Sequence, residues 1–279
     1  MTFGRLDRAG TYLVLCTFAL IAIYPILSIL FLALHRKEDL VTGFAFPTRI
    51  DLSSFEAAWT EGNFATGFKS SFIVAATVTA VSAVLSIGTG YAFGTMRFTG
   101  DRIVFPIILL GIIFPYEATV IPLYYDFSDV PLLHWHLLNT YWALILPQIG
   151  QSVAFGTFWM RAFFRSTPRS LIEAARIDGA TSFGVLGRVL LPQAMPAVLT
   201  MSVLVFTYTW NEFLLALVMV SSENLRTAPL GLAFFQGQHT SDLTLLAAGA
   251  VIVATPVILV YVFLQRHFIR GMLTGAVKG

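Results

Sequence analysis

Three groups of residues in this sequence combine types and spacings that could do chemistry. Glu173-Ala174-Ala175-Arg176-Ile177-Asp178-Gly179 is followed by the apolar step Val189-Leu190-Leu191 and then Pro192. Its carboxylates and arginine offer ion pairing, its alanines leave little bulk, and its glycine allows a bend. That is the chemistry of docking another protein, not of making bonds. Trp210-Asn211-Glu212-Phe213 and Phe114-Pro115-Tyr116-Glu117 each set a carboxylate beside aromatic rings inside long apolar runs. A carboxylate in that setting is costly and marks a functional site by default.

The composition around these groups names the solvent. Hydrophobic residues make up 57% of the 279, charged residues 11%, and mean hydropathy is +0.78. A soluble domain carries about a quarter charged residues, so the expected solvent is lipid. A net charge of +2 and a pI near 8.8 are too mild to suggest nucleic acid. A single cysteine, Cys16, excludes an internal disulfide or a cysteine-based metal cluster and reads as a small buried apolar side chain.

A bilayer-crossing helix needs about 20 mainly apolar residues. Six stretches qualify: 11–34, 71–95, 103–124, 140–160, 197–220 and 243–264. The first has no small-x-small cleavage site before His35 and reads as a true helix. With the N-terminus inside, the 17 Lys and Arg residues divide twelve inside to five outside. That asymmetry places both termini, and the Glu173 segment, in the cytoplasm. The expected fold is therefore all-α, one membrane domain over 1–279 with six transmembrane helices and no internal repeat. In the outer segment, Leu52, Phe55 and Trp59 at near-helical spacing predict a short helix lying on the membrane surface.

The cytoplasmic segment 161–196 has its own architecture. Thr167-Pro168 predicts a helix start, with the hydroxyl capping free amides and the proline at the first position. The helix runs to Asp178, and Gly179 supplies the left-handed backbone that ends it. Thr181 or Ser182 caps a second short helix over 183–190, which Pro192 and Pro196 terminate. A solvated loop that merely obeys the charge rule is the competing reading.

Glu-Ala-Ala, three residues, Gly, nine residues, an aliphatic residue, one residue and Leu-Pro resembles the EAA loop of permease subunits of bacterial ATP-binding-cassette importers. Glu173, Ala174, Ala175, Gly179, Val189, Leu191 and Pro192 match in register, Val189 replacing the usual isoleucine. Residues 140–147, Tyr91-Ala92-Phe93 with Arg97-Phe98 and Gly100, Trp210-Asn211-Glu212-Phe213 and the tail Gly275-Ala276-Val277-Lys278-Gly279 resemble segments of the maltose-type, carbohydrate permeases, the second of each pair in particular. The resemblance implies a type I importer permease fold in the bacterial cell membrane. It also implies partners: a second permease, two ATP-binding subunits that carry the ATP and magnesium, and an extracytoplasmic binding protein. No cofactor would be held by this chain. Glu173, Ala174, Ala175, Arg176, Asp178, Gly179, Leu191 and Pro192 would dock the ATPase.

The polar residues within the spans suggest a solute path. Carboxylates and amides exchange hydrogen bonds with sugar hydroxyls, and an aromatic ring stacks on the apolar face of a pyranose. Trp210, Asn211, Glu212, Tyr116 and Glu117 supply both kinds of group. Pro115 and Pro122 would break the third span, which is tolerable only beside protein or a wet cavity. A polyol or glycerol phosphate is the alternative solute, but a phosphate would call for arginine and no span contains one. A stand-alone secondary transporter would need intramembrane charge pairs and a repeat. A membrane-embedded enzyme would need a cluster of histidines or carboxylates, and the sequence has no Walker A lysine loop for hydrolysing ATP itself. His134-Trp135-His136 with Asp126 and Asp129, and Gln236, Gln238 and His239, read as outer loops touching the binding protein rather than as metal sites. Gly88 and Gly90 read as small-residue helix packing.

Overall fold

The computed structural model describes residues 5–36, 44–47, 49–130, 135–233, 235 and 242–276. His134, Gln236, Gln238, His239 and the last residues of the tail, Val277, Lys278 and Gly279, lie outside the described residues. The described residues are helical, with no strand among them beyond an isolated bridge between Val130 and Trp135. In chain order the helices are α1 (Arg5–Ala33), α2 (Ser53–Glu61), α3 (Phe64–Thr95), α4 (Asp101–Ile113), α5 (Tyr116–Ser128), α6 (Tyr141–Ser166), α7 (Arg169–Ile177), α8 (Ser182–Gly184), α9 (Leu191–Trp210), α10 (Leu214–Met219), α11 (Ala228–Ala233) and α12 (Leu243–Ala276).

Four helical stretches are long and apolar enough to cross a bilayer: Gly10–Ala33, Phe64–Thr95, Ser182–Trp210 and Leu243–Gln265. The predicted third span is instead two helices, α4 and α5, bent by 95° at Phe114-Pro115. Pro115 lacks the amide that would continue α4, and it holds an extended backbone with ψ 115°. Pro122, expected to break the span as well, lies inside α5.

The fifth span also differs from expectation. It starts earlier, at Ser182, and ends at Trp210, so Glu212 lies in a break before α10 rather than mid-helix. The expected stop at Pro192 does not occur. A π-helical turn over Val185–Leu190 precedes it, with the Leu191 amide bonded to the Leu186 carbonyl five residues back. The wider turn re-phases the backbone, so that Pro192 falls in the first turn of α9, where a missing amide costs little. Thr200 donates to the Pro196 carbonyl at 2.9 Å, the usual back-bond of a threonine within a helix.

The chain divides into two compact units, residues 1–65 with 231–255 and residues 66–230 with 256–279. In the first, α1 presents apolar side chains outward, Leu13 being 70% and Phe18 67% exposed. Cys16, expected to be buried, is exposed on this helix, because α1 buries none of its apolar window. The carboxylate of Asp51 accepts the Ser53 amide at 2.8 Å and faces Arg36 at 3.4 Å, and these partners hold its pKa below the ordinary aspartate value. In α2, Ala58 is buried while Trp59 is 45% exposed, with Leu52 just before the helix 62% exposed.

The second unit is built on α3 against α6. A Cβ at Gly90 would meet the Met160 Cβ at 2.4 Å, and one at Gly94 the Phe164 Cβ at 2.9 Å. Small residues four apart let the two backbones touch, the usual device where lipid supplies no hydrophobic drive. Gly156 fits against Ser86 and Met201 in the same way, with a Cβ only 2.1 Å from the Ser86 hydroxyl. Gly88, expected in this role, faces open space. Trp159 donates to the Ala197 carbonyl at 3.1 Å and ties α6 to α9.

Gly90→Ala and Gly88→Ala gain the same helix propensity, up to about 1 kcal/mol, so their difference isolates packing. Thermal unfolding of the solubilised protein is expected to place Gly90→Ala about 1–3 kcal/mol below Gly88→Ala. Equal melting of the two variants would refute the close α3–α6 seam.

Candidate functional site

The Glu173 segment folds as a helix, an elbow and a second helix. Leu171, Ile172 and Ala175 of α7 pack on the core, while Glu173, Ala174 and Arg176 are exposed. Thr167 does not cap α7. Its hydroxyl turns back to the Phe163 carbonyl at 3.5 Å, because Pro168 holds the intervening backbone extended.

At the other end Gly179 adopts φ 81°. The Gly179 amide bonds the Arg176 carbonyl at 3.0 Å and the Ala180 amide bonds the Ala175 carbonyl at 2.9 Å. This nested pair is a Schellman motif, and Ala175 and Ala180, which it joins, both pack against the core. The alanines thus close the elbow as well as keeping it slim. Thr181 then caps α8, its hydroxyl accepting the Gly184 amide at 3.2 Å. Tyr91 of α3 donates to the Ser182 carbonyl at 3.1 Å and pins the elbow to the helices behind it.

Asp178 and Gly179 are exposed, a Cβ on Gly179 would meet nothing within 4 Å, Leu191 is half-buried and Pro192 is exposed. Two residues that the sequence reading passed over stand out here. Ile177 is 86% and Phe183 87% exposed, on either side of the bend. Apolar side chains so open mark an interaction surface.

The second candidate is a cavity of about 570 Å³ in the same unit. Tyr116, Glu117, Asn211 and Glu212 line it, so the breaks at Phe114-Pro115 and at Asn211–Phe213 open into one space. Trp210 does not line it. At 2% exposure it is buried, stacked on Phe206 with centroids 5.7 Å apart and edge-on to Phe68 at 5.6 Å. The aromatic walls of the cavity are Tyr116, Phe155, Tyr208 and Phe213.

Each polar group here has a local reason for its position. Glu212 accepts the Leu215 amide at 2.7 Å and the Ala216 amide at 3.2 Å, one carboxylate oxygen to each, and so caps α10. Asn211 donates its side-chain amide to the Thr207 carbonyl at 2.8 Å, closing the end of α9. The Tyr116 hydroxyl is buried and has no hydrogen-bond partner. The sequence reading took its path residues from the two runs around the carboxylates and so missed Gln148, Gln151 and Ser152, which α6 sends into the cavity. Carboxamides three residues apart on one face of an otherwise apolar helix were the available signal. Among the described residues, no Lys, Arg or His lines the cavity.

Residues 86–274 match the family described as binding-protein-dependent transport system inner membrane component. The chain is 34% identical over 262 residues to the probable ABC transporter permease protein YurM of Bacillus subtilis (strain 168), covering 93% of this chain and 85% of that protein. It is 31% identical over 266 residues to the arabinooligosaccharides transport system permease protein AraQ of Halalkalibacterium halodurans, covering 94% and 93%. Its fold superimposes on a chain of a bacterial ABC transporter involved in importing the acidic polysaccharide alginate. The TM-score is 0.77 at 26% identity, over 96% of this chain and 99% of that one. The fold and these relatives define a multi-pass membrane permease of a binding-protein-dependent transport system. The chain belongs to the binding-protein-dependent transport system inner membrane component family.

The double cap at α10 makes a direct prediction. Glu212→Ala leaves two amides without acceptors and is expected to lower stability by about 1–2 kcal/mol in thermal unfolding. Glu212→Gln keeps one acceptor and should recover about half of that loss, whereas equal losses would show that the cap geometry does not matter.

Proposed function

We propose that this permease forms half of the translocation path of an ATP-driven importer for uncharged sugars or oligosaccharides. Residues 1–279 act as one transmembrane domain. Its six spans are α1, α3, the bent pair α4–α5, α6, the helix from Ser182 to Trp210, and α12, and both termini are cytoplasmic. α6 is the least apolar of these because it carries the cavity's carboxamides. A second permease completes the path, two ATPase subunits supply the energy and hold the ATP and magnesium, and an extracytoplasmic binding protein delivers the solute.

One observation carries the solute class. The cavity offers carboxamides, hydroxyls and two carboxylates with aromatic walls, and no basic side chain. Sugar hydroxyls donate to carboxylates and accept from amides, while a phosphate would meet no basic side chain among the described lining residues. The relative AraQ is named for arabinooligosaccharides, which are uncharged. A volume of about 570 Å³ lies within the range of small-ligand sites. Tyr116 lines the cavity, and its hydroxyl, buried without a partner, becomes available to a solute oxygen when the wall opens. Glu117, Gln148 and Gln151 line the same wall, and Asn211 and Glu212 shape the break.

Coupling runs through the elbow. α7 docks in a cleft of the ATPase through Glu173, Ala174, Arg176, Asp178 and Gly179, with Ile177 and Phe183 as apolar anchors. Leu191 and Pro192 start the helix that carries the motion onward. Nucleotide biases the permease between two states by its different affinity for each, and exposed ion pairs at the dock contribute little singly.

Three tests follow, with transport read in vesicles containing the chain with its ATPase, second permease and binding protein. Uptake of a neutral oligosaccharide should stop without ATP and persist when ion gradients are collapsed; the reverse would establish a secondary transporter. Tyr116→Phe removes only an unpartnered hydroxyl, so thermal stability should stay within about 0.5 kcal/mol while uptake falls roughly threefold to tenfold. For the dock, Gly179→Val combines a left-handed backbone with a branched side chain on the approach surface. It is expected to cut ATPase co-purification or transport by about tenfold, and normal transport by this variant would dismiss the docking role.

A further inference from the structure

We propose that a basic recess where α3, α4 and α6 end holds the phosphate of an anionic phospholipid. The recess, about 480 Å³, is lined by Arg97, Arg102, Arg161, Arg165, Arg169 and Arg176. Only two acidic residues, Asp101 and Glu173, share the lining. Among the described residues, no ion pair joins either of them to these arginines. The described lining thus carries a net four positive charges around one concave space, a potential that attracts an anion.

Arg161 is pre-set for that occupant. Its Nε donates to the Phe93 carbonyl at 3.3 Å, and its guanidinium carbon lies 3.8 Å from the centre of the Phe105 ring. The two contacts fix the planar group and leave its terminal Nη donors with no acceptor among the described residues. A rigid guanidinium fork matches a phosphate bidentately, which a mobile lysine does not. The lining basic residues are all arginine.

A lipid explains the shape better than free phosphate. A smaller recess of about 260 Å³ adjoins the first through Phe93, Asp101, Arg102 and Arg161, and adds Phe105 and Pro106. Beyond it α4 turns Ile103, Val104 and Ile107 outward, at 68%, 42% and 58% exposure. The sequence of surfaces is thus charged, then aromatic, then aliphatic, down a helix that faces lipid. That gradient fits a headgroup phosphate, its glycerol linkage and the start of an acyl chain. Basic pockets between membrane helices bind acidic headgroups by the same logic.

The test uses the full chain purified in detergent with its partner subunits. Native mass spectrometry follows retention of short-chain phosphatidylglycerol and short-chain phosphatidylcholine, with inorganic phosphate as competitor. The wild type is expected to retain phosphatidylglycerol at least tenfold more strongly than phosphatidylcholine. Arg102→Gln with Arg165→Gln, two exposed positions that leave the Arg161 contacts intact, should remove that preference. Arg161→Lys, which keeps the charge and loses the fork, should weaken it about tenfold. Equal retention of both lipids, or unchanged retention in the double variant that still assembles, overturns the site. Displacement by millimolar inorganic phosphate would assign a soluble anion instead. That result overturns the lipid.

Discussion

A backbone carbonyl or amide in hydrocarbon has no water to bond, and this constraint organises the molecule. Helices meet it internally, so each interruption must be repaired by side chains. The break after Trp210 shows the repair in full. Asn211 closes one helix end and Glu212 opens the next, using two carboxylate oxygens on two amides. The bend at Phe114-Pro115 is the other large interruption, and both breaks open into the same cavity. On the proposed reading, polar groups admitted to satisfy the backbone are also the groups a passing solute meets. Structural necessity and solute contact are served by the same residues.

The elbow at Gly179 is a second local solution with a wider use. The left-handed glycine and its two nested bonds stop α7 without any bulky side chain. The tip can then be both firmly built and closely approached. Tyr91, reaching Ser182 from α3, makes the elbow part of the helical body rather than a loose loop.

Much of this was legible because it is local. The elbow follows from Gly179 and the cap from Thr181, each within a few residues of its partner, and the spacing from Glu173 to Pro192 carries the family resemblance. Three features were not legible, each for a definite reason. A π-helical turn adds a residue without any sequence punctuation, so Pro192 read as a stop when its consequences had already been absorbed upstream. The end of α9 at Trp210 has neither glycine nor proline to announce it, and a carboxylate flanked by aromatic rings read as mid-span. Trp210 itself has the same composition signal whether it stacks on a sugar or on Phe206, and only packing distinguishes the two. Gln148 and Gln151 were visible as letters but overlooked, since uncharged carboxamides raise less alarm in an apolar run than carboxylates do.

The glycine seam between α3 and α6 has a mechanical meaning. Two helices whose backbones touch at Gly90 and Gly94, with Gly156 seated against the Ser86 side chain, have no soft layer between them, and so resist sliding and bending as a pair. α6 bears the carboxamides of the cavity near its middle and leads directly into α7. From Gln151 to Ser166 it spans about 22 Å at 1.5 Å per residue. A displacement imposed at the base of α7 therefore arrives at the cavity wall as a rigid tilt, amplified or reduced by leverage rather than dissipated in side-chain rearrangement.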